Sequence, residues 1–380
     1  MKITLTTRTP VHIGTGQIYH PNEFVWTLAR EGILYLSRIN QSAFLANLTE
    51  DQREDLITQM DDQFKLTEFF KKYNLNPKDL RRYRAISRTG KKNPLDIREC
   101  IKTADLPYIP GSSLKGAIRT ALLWNQVKDD DRYFREISRE FDNDHRSYKK
   151  RNIGDAYVDE IFNCSQNRAD PKYDLLRFLQ ISDCMPVEQK LSIESVQTSS
   201  LKNHTLQKKP YEIYAECVNG TFTGSVGGLD QIQRVVTHRD YSYLKDKISY
   251  LGMSNASDIQ AVPDHLNKVI TEWSRWCIEK ERNLISVSGG LFEETLDQVS
   301  GWTDTGAHIR LGFGVGTLYQ TMIGLISEKD PGLAIDIINQ FSLGKYPRDE
   351  AYGEIEPPYP KSIEFSNDEE SFGWLRFHAE

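Results

Sequence analysis

Between Tyr108 and Trp124 the chain must pass from extended backbone into a helix within a few residues, and this transition constrains the fold more than any other stretch. Pro110 and Gly111 stop the extended segment, and Leu114 to Trp124 then carries apolar residues at helical spacing. Ser112 or Ser113 is placed to cap the exposed amides of the first turn. A helix start offers unpaired N–H groups and a partial positive charge, so Gly111, Ser112 and Ser113 form a candidate anion site. Lys115 and Arg119 lie four apart on one face and extend that field over neighbouring phosphates, while Gly116 permits close approach. An ordinary capped helix with two solvated cations fits the same spacing.

The 380 residues suffice for two packed modules, and we expect a boundary dividing 1–227 from 228–380. A chain with 27% charged and 38% hydrophobic residues has the composition of a globular protein, and no apolar run is long enough to span a bilayer. Met1 to Thr7 alternates like a strand and lacks the features of a secretory leader, so it is read as part of the fold. Five cysteines, none spaced as CxxC, argue against a disulfide framework or a cysteine zinc site, and a reducing, cytoplasmic setting is the expectation.

A net charge of −6 would argue against a nucleic-acid partner, but its distribution argues the other way. Lys71 to Lys102 holds eleven Lys or Arg against Asp79, Asp96 and Glu99, whereas Asp349 to Glu380 holds nine acids against Lys361 and Arg376. Arg84, Arg88, Lys91 and Lys92 are therefore candidate phosphate contacts, although a solvated charged loop has the same composition.

Residues 2–7 read as a strand, 12–16 as a turn, and 23–28 with 33–37 as a hairpin around Arg30-Glu31-Gly32. Helical spacing runs from about Gln41 to Tyr73. The evenly charged stretch Lys128 to Arg151 is expected to be an exposed helical insertion or lid that adds little core. Strands are expected over 175–182 and 190–198, then Pro210–Cys217 and Thr221–Val226 bent around Asn219-Gly220. The polar segment Ser199 to Lys209 between them, with Lys202, Lys208 and Lys209, reads either as a hairpin tip or as an arm able to cross a bound strand. Helices follow over 229–250 and 263–282, with Ile270, Trp273 and Trp276 assigned to core, and a last strand covers 373–378. Strands mixed with helices, without regular βαβ repeats, predict an α+β protein with antiparallel sheets.

Arg310 to Thr317 places Gly312, Gly314 and Gly316 at alternate positions beside a cation, a loop that lets backbone come close to a phosphate or to another segment. It is not a dinucleotide fingerprint, and no GxxxxGK[ST] loop is present. HExxH, CxxC and EF-hand patterns are likewise missing from the sequence, so no metal or cofactor is expected. His12, followed by Gly14 and Gly16, is placed to contact RNA or to act as a general base in cutting it.

Taken in order, Thr9-Pro10-Val11-His12-Ile13-Gly14-Thr15-Gly16, Ile109-Pro110-Gly111-Ser112-Ser113-Leu114-Lys115-Gly116-Ala117-Ile118-Arg119 and Arg310 to Gly316 resemble the RAMP superfamily of CRISPR effector subunits. Within it the chain is most similar to the type III-A Csm branch that caps the backbone filament at the crRNA 3′ end. That resemblance implies tandem ferredoxin-like (RRM-like) modules with helical insertions, a glycine-rich loop packed against RNA, and a thumb-like hairpin over about 191–226. It also implies crRNA, other Csm backbone subunits and nucleases that trim the crRNA 3′ end as partners, with no membrane. Subunits that cut target RNA carry an aspartate in a loop after the first strands. Here Gln17 to Glu23 offers Asn22 and Glu23, so a non-catalytic subunit is expected. The competing enzyme reading is a repeat-specific endoribonuclease using His12, and a type III-B or 5′-end subunit would share the motifs.

Overall fold

Apolar side chains that alternate along short runs fix the strands, and runs spaced by three and four fix the helices laid against them. The computed structural model describes residues 1–61, 63–90, 94, 96–144, 155–166, 170–202, 205–286, 293–341, 343, 362–366 and 370–380. The chain opens with β1 (Lys2–Thr7), β2 (Gly14–Tyr19), β3 (Phe24–Leu28) and β4 (Leu34–Ile39), followed by α1 (Gln41–Asn47), α2 (Glu50–Gln59), α3 (Leu66–Lys72) and α4 (Pro77–Leu80). Next come β5 (Arg81–Ser87), β6 (Ile97–Cys100), β7 (Lys102–Thr103) and β8 (Leu106–Pro107), then α5 (Gly111–Val127), α6 (Asp131–Asp144) and α7 (Asp155–Phe162). The short β9 (Gln180–Ile181) precedes a long hairpin, β10 (Met185–Lys202) and β11 (Thr205–Gly227). The remainder holds α8 (Gln231–Val235), α9 (Leu244–Lys247), α10 (Val262–Ser286), α11 (Glu293–Asp304), β12 (His308–Arg310), α12 (Ile323–Lys329), α13 (Pro331–Gln340), β13 (Ser362–Ser366) and β14 (Trp374–Ala379).

One mixed, mostly antiparallel sheet runs β12-β14-β1-β11-β10-β5-β4-β3, with β13 on β10, β6 and β9 on β11, and β2 on β6. The β10–β11 hairpin is its spine. At the base, β1 pairs with residues 221–225 of β11; midway, β5 joins β10 at Ser192 and β6 joins β11 at Ala215, both parallel; distally, β13 lines Val196–Ser200. Helix α5 buries Leu114, Ile118, Ala121, Leu122 and Val127 against the main core, and Trp124 meets Trp273 and Trp276 of α10 at ring-centroid distances of 5.5 and 5.9 Å. Each of the buried leucine, isoleucine and valine side chains contributes about 1.5–3 kcal/mol of transfer free energy. A satellite core unites Val25 and Ile39 of the β3–β4 hairpin with Phe44, Leu56, Phe69 and Phe70 of the first helices.

Several expectations are corrected. The charged helix α6 contributes Tyr133, Phe134 and Ile137 to the core, because these three share one face that a count of charges hides. Residues 175–182 are not a strand throughout: Leu175–Phe178 forms a 3-10 turn started by the Asp174 side chain, which accepts from Leu176 N at 2.7 Å, and only Gln180–Ile181 is extended. The expected helix over 229–250 is broken into α8, the 3-10 turns Arg239–Tyr241 and Ile248–Leu251, and α9; His238 caps Asp240 N at 3.3 Å, and Gly252 ends the series at φ 80°. Residues 210–226 are not two strands but one. At Gly220 (φ 150°) a Cβ would stand 2.1 Å from Glu188 O, so the missing side chain lets β11 continue past a bulge in β10. The segment 199–209 is mostly ladder rather than loop, with Ser199 opposite Lys208 and Lys202 opposite Thr205.

Candidate nucleic-acid interface

The expected turn at residues 12–16 is half strand. Gly14 lies opposite Cys100 and Ile18 opposite Arg98, so three residues on β2, Thr15–Gln17, stand against Glu99 alone on β6 and form an exposed bulge. Gly16 takes φ 87° at the tip, and the Thr15 hydroxyl holds the bulge by donating to Glu99 Oε2 (3.3 Å) and accepting from Gln17 N (3.1 Å).

The glycine loop docks on the same segment from the other side. Phe313 N donates to His12 O at 2.8 Å, and a Cβ on Gly312 (φ 87°) would lie 2.2 Å from that oxygen, so only glycine fits there. Gly373 N donates to Pro10 O (3.0 Å) and Leu311 N to Gly373 O (2.8 Å), tying the β12 end and the β14 start to the segment before His12. Between bulge and loop lies a cavity of about 470 Å³ lined by His12, Ile13, Gly14, Gly16, Gln17, Ile18, Arg98, Glu99, Gly312 and Phe313. The guanidinium of Arg98 sits 4.7 Å over the Phe313 ring, with no ion-pair partner among the described residues. This pairs a cation with an aromatic face at a wall made of glycines, the chemistry that holds phosphate and stacked base together. Sequence reasoning missed Arg98; the one signal for it was membership of the basic segment.

His12 is buried, with Nδ1 2.7 Å from Glu216 O. Desolvation, with smaller contributions from the charges of Arg98 and Lys102, lowers its pKa below the usual histidine value, so it is a neutral ring rather than a cationic phosphate contact. Behind it lies a buried polar cluster. The Tyr19 hydroxyl is 2.7 Å from that of Tyr83 and 2.8 Å from Glu99 Oε1, and Lys102 Nζ donates to Tyr19 Oη (2.9 Å), Cys100 O (2.9 Å) and Glu216 Oε2. Burial pushes both tyrosine hydroxyls far above their ordinary pKa.

The other predicted residues are not gathered here. Gly111 donates its N–H to Asp183 Oδ1 at 2.8 Å, and neither Ser112 nor Ser113 caps the turn, so the helix start does hold an anion, one supplied by the protein. A Cβ on Gly111 would stand 2.3 Å from Ile181 O, which makes this glycine a packing requirement. Arg119 is paired with Asp174 (2.7 Å) above the Phe162 ring; Lys115 is half-buried, and that burial lowers its pKa. Ser182, against which Gly111 packs, donates its backbone N–H to Ser225 O, whereas His12 reaches Glu216. These stations on β11 are roughly 30 Å apart at about 3.3 Å per residue. Lys115 and Arg119 are therefore remote from the 312–316 turn along the strand, a correction to the expectation of one continuous patch.

Arg310 is also corrected. It lies in the interior, bonded to Glu281 (3.0 and 3.2 Å) and Phe372 O (2.8 Å), with Tyr319 on the same carboxylate, so it braces the loop instead of facing a strand. Gly314 (φ 81°) is set against Phe372 and Glu364, while Gly316 (φ 74°) is open. Arg84 is exposed and stacks over Tyr35 (4.7 Å); Arg88 lies 3.9 Å from the buried Glu194. Lys91 and Lys92 lie outside the described residues, as does the side chain of Lys202. Lys208 is exposed on β11, and Lys209 stands 6.0 Å over the Tyr211 ring. All five cysteines are free and buried. Among the described residues no group of three or more His, Cys, Asp or Glu could hold a metal, and no helix is long and apolar enough to cross a membrane.

An antiparallel-dominated sheet with helices against it, a glycine loop returning onto the residues after β1, and a helix launched by Pro-Gly-Ser-Ser define an α+β protein of ferredoxin-like RAMP type. The chain belongs to the RAMP superfamily, whose profile matches residues 4–317. It is 23% identical to a CRISPR system Csm5 protein of Methanocaldococcus jannaschii over 344 residues, covering 87% of this chain and 74% of that protein. It is 27% identical to Csm5 of Streptococcus thermophilus over 236 residues, covering 57% of this chain and 60% of that one. Among solved structures, a chain of a Csm–crRNA–target RNA ternary complex of a type III-A CRISPR-Cas system superposes with TM-score 0.74 at 20% identity over 100% of both chains. The crystal structure of T. onnurineus Csm5 gives TM-score 0.60 at 20% identity over 98% of this chain and 99% of that one. These likenesses agree with the resemblance to type III-A Csm subunits read from the motifs.

Proposed function

We propose that this Csm-type subunit is a non-catalytic RNA-binding and assembly component of a type III-A effector complex. It binds the 3′ portion of a crRNA, ends the stacking of backbone subunits, and helps fix guide length by shielding RNA or engaging trimming nucleases. The observation that carries this reading is the cavity between the 15–17 bulge and the glycine loop, where Arg98 and Phe313 offer a charge and a ring beside exposed Gly14 and Gly16. The relatives named above, and the complex in which one structural neighbour sits, support the partner class.

A non-catalytic role is favoured because His12 Nε2, the open base at the cavity, has no second acid–base group ready beside it among the described residues. Glu99 receives Tyr19 on one oxygen and Thr15 on the other, and the ammonium of Lys102 bonds three acceptors, so neither stands ready to exchange a proton with a scissile ribose.

A salt titration of crRNA binding by fluorescence anisotropy tests the interface. Arg98→Ala should weaken binding about three- to tenfold across RNA sequences and lower the salt slope by about one. A Lys115→Ala, Arg119→Ala double variant reports on the separate helix station. Unchanged affinity for Arg98→Ala removes the cavity from the RNA path. Incubating the protein with labelled repeat RNA in EDTA should leave the RNA intact; cutting that disappears in His12→Ala would establish the nuclease instead.

A further inference from the structure

His12 has one ring nitrogen anchored and one with nothing bonded to it among the described residues. A backbone carbonyl only accepts, so Nδ1, 2.7 Å from Glu216 O, carries the proton, and in the neutral ring Nε2 is left as a bare acceptor. Burial favours that neutral form. The ring lines the cavity, and the residue standing in front of Nε2 is Gly14, where a Cβ would lie 2.8 Å from that nitrogen. Gly14 is not held at positive φ and is exposed, so what its missing side chain provides is access to the nitrogen.

An acceptor at this place needs a donor from the ligand. Phosphate oxygens have no proton to give at neutral pH, and they are matched instead by Arg98 on the same wall. The walls contributed by Gly14, Gly16 and Gly312 suit close passage of a sugar-phosphate backbone rather than readout of one base edge. The donor that every nucleotide of such a backbone carries, and that DNA lacks, is the ribose 2′-hydroxyl. We propose that His12 Nε2 accepts a hydrogen bond from a ribose 2′-hydroxyl of the strand seated between the 15–17 bulge and the 312–316 turn, making His12, through the opening left by Gly14, the residue that selects RNA over DNA.

This inference rests on the RNA-binding function proposed above, and the test separates the two. The full-length protein is titrated with RNA and DNA oligonucleotides of one sequence, and with RNAs carrying a single 2′-deoxy substitution moved along the strand. One lost hydrogen bond is worth about five- to tenfold, so one substituted position should weaken wild-type binding by that factor. In Gly14→Ala, whose Cβ 2.8 Å from Nε2 covers that nitrogen and nudges the ring or the strand aside, the ratio of RNA to DNA affinity should fall by the same factor, and the deoxy penalty at that position should vanish. His12→Phe, which keeps a ring and removes the acceptor, should behave alike; if it does not fold by circular dichroism, Gly14→Ala decides. A wild-type protein indifferent to every 2′-deoxy substitution, or a Gly14→Ala protein that keeps the full penalty, overturns the assignment and leaves RNA binding standing. A protein that binds neither strand overturns both.

Discussion

Lys102 and Glu216 illustrate at the residue scale how much of this protein is decided by partners far away in sequence. Their side chains are 5% and 0% exposed and are paired with each other, inside a cluster with Tyr19, Tyr83 and Glu99. Nothing in the basic run from Lys71 to Lys102 marks its last member as an interior residue, because the carboxylate that neutralises it arrives on β11. Several cations of that run are engaged by carboxylates: Arg82 pairs with Asp105 and Lys72 with Asp55, while Arg98 sits over a ring, with the Glu364 carboxyl within reach of its field but no close ion pair among the described residues. Charge counting located a basic segment; which cations remain for a ligand depended on which carboxylates the fold brought beside them. Lys102→Met should leave Glu216 as an unpaired buried charge and cost about 3–5 kcal/mol, whereas Lys2→Met, which opens the solvent-exposed pair with Glu380, should change stability little. Urea unfolding of the two variants checks the contrast, and equal effects would contradict the cluster's role.

At the scale of elements, the glycine loop and the start of α5 were both legible as special places, and both acquired a different meaning in three dimensions. The alternate glycines at 312, 314 and 316 marked a loop of unusual backbone, and all three do adopt positive φ. What spacing could not show is that the neighbours differ: His12 O crowds Gly312, Phe372 and Glu364 border Gly314, and nothing lies near Gly316. Gly312→Ala should therefore combine backbone strain with a clash and destabilise by about 2–4 kcal/mol, whereas Gly316→Ala should cost about 1–2 kcal/mol from strain alone. Equilibrium unfolding would show the difference, and loss of RNA binding in the first variant should accompany it, since the loop forms one wall of the cavity. The α5 start was read as a site for a phosphate, and what its first N–H meets is Asp183, a residue that lies beyond two intervening helices and that no local pattern connects to Gly111. Strand edges were legible wherever alternation was clean, as in β1, β3, β4 and β14. Apolar runs without alternation, such as Leu175–Leu179, could not be separated by pattern from a buried turn.

For the molecule as a whole, pH dependence follows from burial. His12, His265 and His308 all have pKa values lowered chiefly by desolvation, with smaller contributions from nearby cations: Arg98 and Lys102 for the first, Lys268 for the second, Arg8 and Arg376 for the third. The unfolded chain thus takes up protons first as pH falls through about 6.5, so the stability these groups contribute is complete above that value and is lost progressively as pH falls toward and through their folded values. Thermal unfolding should show Tm declining from about pH 7.5 to about pH 5.5, more steeply in the wild type than in His265→Gln, and a flat profile would contradict neutral burial. By itself the sequence determined the elements whose signal is local: the opening strand, the β3–β4 hairpin, the Pro-Gly break into α5, the long helix α10, the closing strand, and through three short motifs the RAMP membership. Only the tertiary structure decided that residues 12–18, 98–99 and 312–313 share one cavity, that Arg310 and Lys102 face inward, and that Arg98 remains beside a ring. The reason is that periodicity and capping act over a few residues, whereas a site on a sheet is assembled from strands distant in sequence, through register and desolvation that no single segment encodes.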